Sequence, residues 1–173
     1  SMLRMLKAMP PERVNRAPSE RGRLYFLLAW VHSVILERLR YVPVGWSKGF
    51  EFSETDARCA MDALDEWVDK RAQGKANLSP AAIPWDALRA LLQQIIYGGR
   101  IDNEFDQARL EAFVGSLFVK EAYEDKFPLC NTWSSKDSAY KPLMTMPESK
   151  DHQGFKAWVD AMPDVNNPEL LGL

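Results

Sequence analysis

Apolar residues return at helical spacing along most of this chain. Over about 19–41, Leu24, Leu27, Leu28, Val31, Val34 and Ile35 fall on one side of a 3.6-residue period, with Ser19 placed as N-cap. Phe26 and Trp30 widen that face around the cylinder, so this helix is expected to be buried on more than one side. Pro43, Gly45 and Gly49 break the pattern. Ser53-Glu54-Thr55-Asp56 has the form of a capping box that restarts it, and Ala57, Ala60, Met61, Leu64, Trp67 and Val68 make the next inner stripe. After a polar turn over 74–80, Pro84 opens a third helix with Trp85, Leu88, Leu91, Leu92, Ile95 and Ile96 inward, and Gly98-Gly99 stops it. A fourth runs over about 103–118 on Leu110, Phe113, Val114 and Leu117, with a pattern that allows continuation to Phe127.

The rest is less regular. Residues 3–7 suit one helical turn, which Met9-Pro10-Pro11 ends. Residues 128–150 show no helical period, contain Pro128, Pro142 and Pro147, and read as a long surface loop of low local stability. A short last helix over about 151–162 uses Phe155, Trp158 and Val159, and Pro163 closes it. No alternation of β-branched and polar residues reaches strand length, so the fold class is all-α, a bundle of about five helices. The layout expected is a tag remnant at 1–2, a connecting segment at 3–17, a helical body at 18–163 and the start of a linker at 164–173.

Composition narrows the function classes. The chain has 173 residues, 46% hydrophobic and 27% charged, which suits one domain with a real core. Lys+Arg 22 against Asp+Glu 24 leaves a net charge of -2, without the cationic surplus that neutralises phosphate backbones, so nucleic acid is not an expected partner. Cys59 and Cys130 have no paired spacing, which fits a reduced, intracellular setting. The apolar run from Leu24 to Val31 is too short to span a bilayer, so no membrane is expected either.

Candidate chemistry is sparse. No GxxxxGK[ST] is present to cradle phosphates. Gly98-Gly99-Arg100 suits an arginine aimed at a phosphate, and equally a helix C-cap followed by an exposed arginine. His32 and His152 lack a ligand partner at i, i+4, and His32 reads as a helix residue with a satisfied imidazole. Glu104 and Asp106 complement a helix N-terminus, and Cys59 reads as a small core residue on the second stripe. No metal ligand and no catalytic nucleophile is nominated. Of the six tryptophans, four sit in helical stripes. Trp46 lies instead in the loop Val42-Pro43-Val44-Gly45-Trp46-Ser47, where so large a ring must find a groove in this domain or in a neighbour.

Several segments, taken in order, resemble dynein heavy chains. They are residues 18–30, then Glu37-Arg38-Leu39-Arg40-Tyr41, Gly45-Trp46-Ser47-Lys48, residues 97–106 and the closing Leu170-Leu171-Gly172-Leu173. The resemblance covers most of 18–127 and, more weakly, 153–173, and its details are closer to the cytoplasmic than to the axonemal type. It implies the lid subdomain of the sixth AAA+ module, preceded by that module's large domain and followed by the C-terminal domain. It also implies a piece that hydrolyses no ATP and holds no cofactor of its own, ATP and magnesium belonging to other modules. The partners implied are the neighbouring AAA+ modules and the C-terminal domain, with dynein complex subunits and microtubules reached through the full-length cytoplasmic motor. On that resemblance Trp46 and Arg100 are candidate inter-domain contacts. Two rival readings stay open: a free-standing helical adaptor that grips a partner helix, and an enzyme using Arg100 with Glu104 or Asp106, which requires a concave pocket joining them.

Overall fold

The computed structural model describes residues 2–134, 136, 138–162 and 168–173, the backbone alone at 132–134 and 140–142. Seven α-helices appear among them: α1 (Met2–Ala8), α2 (Pro11–Val14), α3 (Arg21–Arg38), α4 (Glu54–Ala72), α5 (Trp85–Ala90), α6 (Glu104–Leu117) and α7 (His152–Asp160). The class is mostly helical, as the periodicity implies. The proline read as closing the last helix, Pro163, lies outside the described residues, as do Ser1 and residues 164–167.

α3 is the axis of the molecule. From Arg21 to Ile35 every residue is buried, because an apolar surface that wraps the helix needs neighbours all round it. α1, α2, α4, α6 and the final 3-10 turn (Pro168–Leu171) supply them. The segment 3–17, read as a connection, packs into the same core: Met5, Leu6, Met9 and Val14 are buried, and so is Met2 of the supposed remnant. α7 seats Phe155 against Phe26 at 4.9 Å between centroids, while Trp158 meets Phe26 and Trp30 edge-on.

α4 begins at the capping box expected from Ser53 and Asp56 and buries Ala57, Ala60, Met61, Leu64 and Val68. Trp67 is only half-buried at the edge of that stripe. Cys59, assigned to the stripe in the sequence, is exposed: it sits between Ala57 and Ala60 but turns away from the axis they face. The other margin of α4 meets a cluster of arginines. Arg21, fully buried, pairs with Asp65 and Asp69, while Arg13 and Arg16 bind Asp62, Asp65 and Asp69 from outside.

α5 widens into a π-helical turn, Leu91–Ile96, before Tyr97. α6 ends at Leu117 and does not continue to Phe127. Phe118 leaves helical geometry, a 3-10 turn follows at Lys120–Tyr123, and both Phe118 and Ala122 go into the core. Their freed carbonyls accept from Arg89 at 2.8 Å and Arg23 at 2.9 Å.

The expected loop over 128–150 is replaced in part by an antiparallel pair, β1 (Pro128–Ser134) and β2 (Ala139–Thr145). Pro128 opens β1 and Pro142 lies opposite Asn131 beside a register shift, positions where a two-stranded ribbon tolerates a missing donor. β1 packs on Pro168–Leu171 and buries Leu129, so tertiary contact stabilises strands whose local sequence does not announce them.

Candidate inter-domain surface

The loop after α3 is fastened to that helix by its aromatic residue. An added Cβ on Gly45 would stand 2.1 Å from the Arg38 carbonyl oxygen, so the chain passes too close for any side chain. This approach delivers Trp46 into the core, where it is 1% exposed and donates its indole N–H to the Ile35 carbonyl at 3.0 Å. Phe50, Phe52 and the Arg38 guanidinium surround the ring at 6.1, 5.7 and 5.3 Å. Trp46 therefore finds its groove within this domain and does not project outward.

The Gly45–Lys48 motif and the 97–106 motif, far apart in sequence, meet here. Asp106, fully buried in the first turn of α6, accepts the Ser47 N–H at 3.0 Å, the Ser47 hydroxyl and the Asn103 amide at 2.9 Å. Asn103 caps α6 in return by accepting the Asp106 N–H at 2.9 Å. Burial alone raises the affinity of Asp106 for a proton. The Ser47 hydroxyl, the Asn103 amide, the Ser47 N–H and nearby Arg109 outweigh that effect and hold it below the usual carboxylate range. Lys48 pairs with Asp102 at the surface. Asp106 thus joins two loops, a more specific task than complementing a helix dipole.

Arg100 follows the π-helical turn, which closes with the Tyr97 N–H donating to the Leu92 carbonyl at 3.1 Å. A Cβ on Gly98 would fall 1.6 Å from the Gln93 carbonyl oxygen, whereas one on Gly99 would meet nothing nearer than 3.6 Å. Arg100 bonds the capping carboxylate of α4, Asp56, through Nε at 2.9 Å and Nη2 at 2.8 Å, and its side chain stays 40% exposed. Behind it Tyr97 is buried, with its hydroxyl 2.8 Å from Nδ1 of His32 and its ring 6.0 Å from Phe52. His32 is satisfied on that nitrogen only, since Nε2 has no partner among the described residues. Burial lowers its proton affinity, against a smaller opposing pull from Asp56 and Glu54.

Among the described residues, Arg100 and Asp106 bond different partners, Asp56 and Ser47, and not each other. His152 holds α7 down through the Leu6 carbonyl at 2.8 Å. The joint leaves apolar side chains outside: Val42 is 46% exposed, Val44 61% and Phe105 81%. The sequence reading passed over Val44 and Phe105. Phe105 had one legible signal, an aromatic off the Leu110–Phe113–Val114–Leu117 stripe of its own helix.

Residues 21–173 match the family model of the dynein heavy chain AAA lid domain. Over all 173 residues the chain is 45% identical to a cytoplasmic dynein heavy chain of Drosophila melanogaster and 42% identical to one of Dictyostelium discoideum. It is 43% identical to a third, of Paramecium tetraurelia, again over its whole length. The chain spans about 4% of the length of each of these relatives.

Proposed function

This chain belongs to the dynein heavy chain AAA lid family, and from that premise we propose that it is a non-catalytic coupling subdomain of the AAA+ ring, the lid of the sixth module. The observation that carries the reading is the joint between the 45–48 and 97–106 segments. Asp106, Trp46 and Tyr97 fix two loops as one body, and that body carries the partly exposed Arg100 and the exposed Val44 and Phe105. A surface preset in this way transmits a displacement with little loss to internal slack. Arg100 is the direct contact with a neighbouring module, and Trp46 acts from inside by holding the loop that presents Val42 and Val44.

ATP and magnesium bind elsewhere in the heavy chain, and the partners of this lid are the neighbouring AAA+ modules and the C-terminal domain. The names of its relatives, cytoplasmic dynein heavy chains, support a cytoplasmic setting for the whole protein, where it acts on microtubules as an ATP-driven motor. Calorimetry of the 173-residue chain with ATP and magnesium tests the non-catalytic half: no binding and no turnover above buffer is the outcome expected. Micromolar binding with turnover contradicts it. The coupling half is read in the whole heavy chain, from the ATPase rate of Arg100→Ala.

A further inference from the structure

Two arginines are buried at the start of α3, and only one of them has a counterion. Arg21 pairs with Asp65 and Asp69. Arg23, 8% exposed, uses Nη1 on the carbonyl oxygens of Ala122 at 2.9 Å and Glu124 at 3.5 Å. Among the described residues no carboxylate pairs with it, and its Nε–Nη2 edge has no acceptor. A guanidinium taken out of water without an anion is unfavourable, and the open edge is the fork that binds a carboxylate or a phosphate through two parallel bonds.

Arg23 lines a cleft of about 410 Å³ together with Ser19, Tyr123, Lys126 and Lys150. The two lysines are exposed and, among the described residues, form no ion pair either. Three carboxylates share the wall without neutralising these cations. Glu20 accepts the Leu78 N–H at 2.8 Å, while Asp125 and Glu148 are exposed side chains that can turn to water. The group able to bring an anion is already in the cleft. Ser19 is exposed in the turn ahead of α3, and its hydroxyl donates to Asn77 at 3.0 Å. Arg16 stands three residues before it, 50% exposed and paired with Asp69 at the surface. An arginine so placed is the feature that basic-directed serine kinases read through an acidic pocket of their own.

We propose that Ser19 is a phosphorylation site and that the Arg23–Lys126–Lys150 cleft is the built receptor for its phosphate, a function separate from the coupling reading. The Ser19 Oγ attacks the γ-phosphorus of ATP, the bond from that phosphorus to the β–γ bridging oxygen breaks, and ADP leaves. The hydroxyl proton passes to the carboxylate base of the kinase. The phosphate dianion lies just ahead of the N-terminus of α3, an 18-residue helix whose dipole favours negative charge there. Arg23 binds it from α3, Lys126 from the turn after Tyr123 and Lys150 from the approach to α7, so one modification clasps three segments distant in sequence.

The intact heavy chain is tested first as a substrate, with ATP and a serine kinase that selects arginine three residues before its target, and with Ser19 phosphate measured by mass spectrometry. Ser19 is labelled, and Arg16→Ala slows the labelling several-fold. Labelling of a synthetic peptide of residues 13–23 but not of the intact protein overturns the site. The receptor is tested by the rate at which a serine phosphatase removes the phosphate. Release from the native protein is several-fold slower than from the phosphorylated peptide, and the double variant Lys126→Gln, Lys150→Gln moves the native rate towards the peptide rate. Both lysines are exposed, so this variant keeps its fold where a change at buried Arg23 risks losing it. Equal rates from native protein and peptide, or a native rate that the double variant leaves unchanged, overturn the receptor.

Discussion

Trp46 and Trp67 show how far a side chain's sequence neighbourhood predicts its energy. Trp67 lies on a helical stripe and is half-buried, whereas Trp46 lies in a loop of glycine and proline and is enclosed by Phe50, Phe52 and Arg38. Trp46→Ala is expected to destabilise the chain by about 3–5 kcal/mol, and Trp67→Ala by about 2–3 kcal/mol because its ring packs on the core but is partly exposed. Denaturant midpoints of the two variants check the order. The sequence told of a large ring needing a groove, but whether the groove is this domain's own depends on Gly45 passing against the Arg38 carbonyl, a contact of tertiary structure. His32 carries a pH dependence. Its folded form resists protonation, while the unfolded imidazole takes up a proton below about pH 6.5, so stability is fully present above that value and declines as pH falls through it. Melting temperature is expected to drop between pH 7 and pH 5, with a shallower slope in His32→Phe. An equal slope in the two proteins counts against the assignment.

At the scale of elements, the π-helical turn ahead of Gly98 sets where Arg100 emerges. A methyl group on Gly98 collides with the Gln93 carbonyl and one on Gly99 does not. Gly98→Ala is therefore expected to cost about 2–4 kcal/mol, as overpacking against fixed backbone does, with Gly99→Ala within about 1 kcal/mol of the parent. Similar losses from both would show that the turn is not what constrains this segment. α4 and α6 were legible from their periodicity and caps, and α3 from its periodicity alone, since Glu20 and not Ser19 stands at its N-cap and the Ser19 hydroxyl donates to Asn77 instead. The 128–145 hairpin was not, because its stability comes from the packing of β1 on residues 168–171, about forty positions away. Nor was the end of α6, where burial of Phe118 and Ala122 overrides a pattern that permits more helix. The arginine cluster on α4 was illegible for a similar reason. Its partners are forty or more residues apart, and Arg21 is buried only because Asp65 and Asp69 meet it. Arg21→Met is expected to destabilise by about 3–5 kcal/mol by leaving two crowded carboxylates with less compensation, which thermal unfolding measures.

For the molecule as a whole, the family was readable from motifs, and the structure supplies a reason those motifs travel together. Gly45–Lys48 and 97–106 are two halves of one joint, bonded through Asp106 and Ser47 and backed by Tyr97. What the residue types could not indicate is which parts of the joint face outward, since that depends on how α3 and α6 lie against each other. The central claim is that this lid has no nucleotide chemistry of its own and still sets the rate of the ring. Its most direct test is the basal and microtubule-stimulated ATPase of the intact heavy chain carrying Arg100→Ala, run beside the melting temperature of the same variant. Coupling energies between sites are typically about 1–3 kcal/mol, so the rate should shift several-fold, beyond what the modest loss of melting temperature from the broken Asp56 pair accounts for. Parental rates under both conditions, or a rate change that only follows unfolding, would contradict the account.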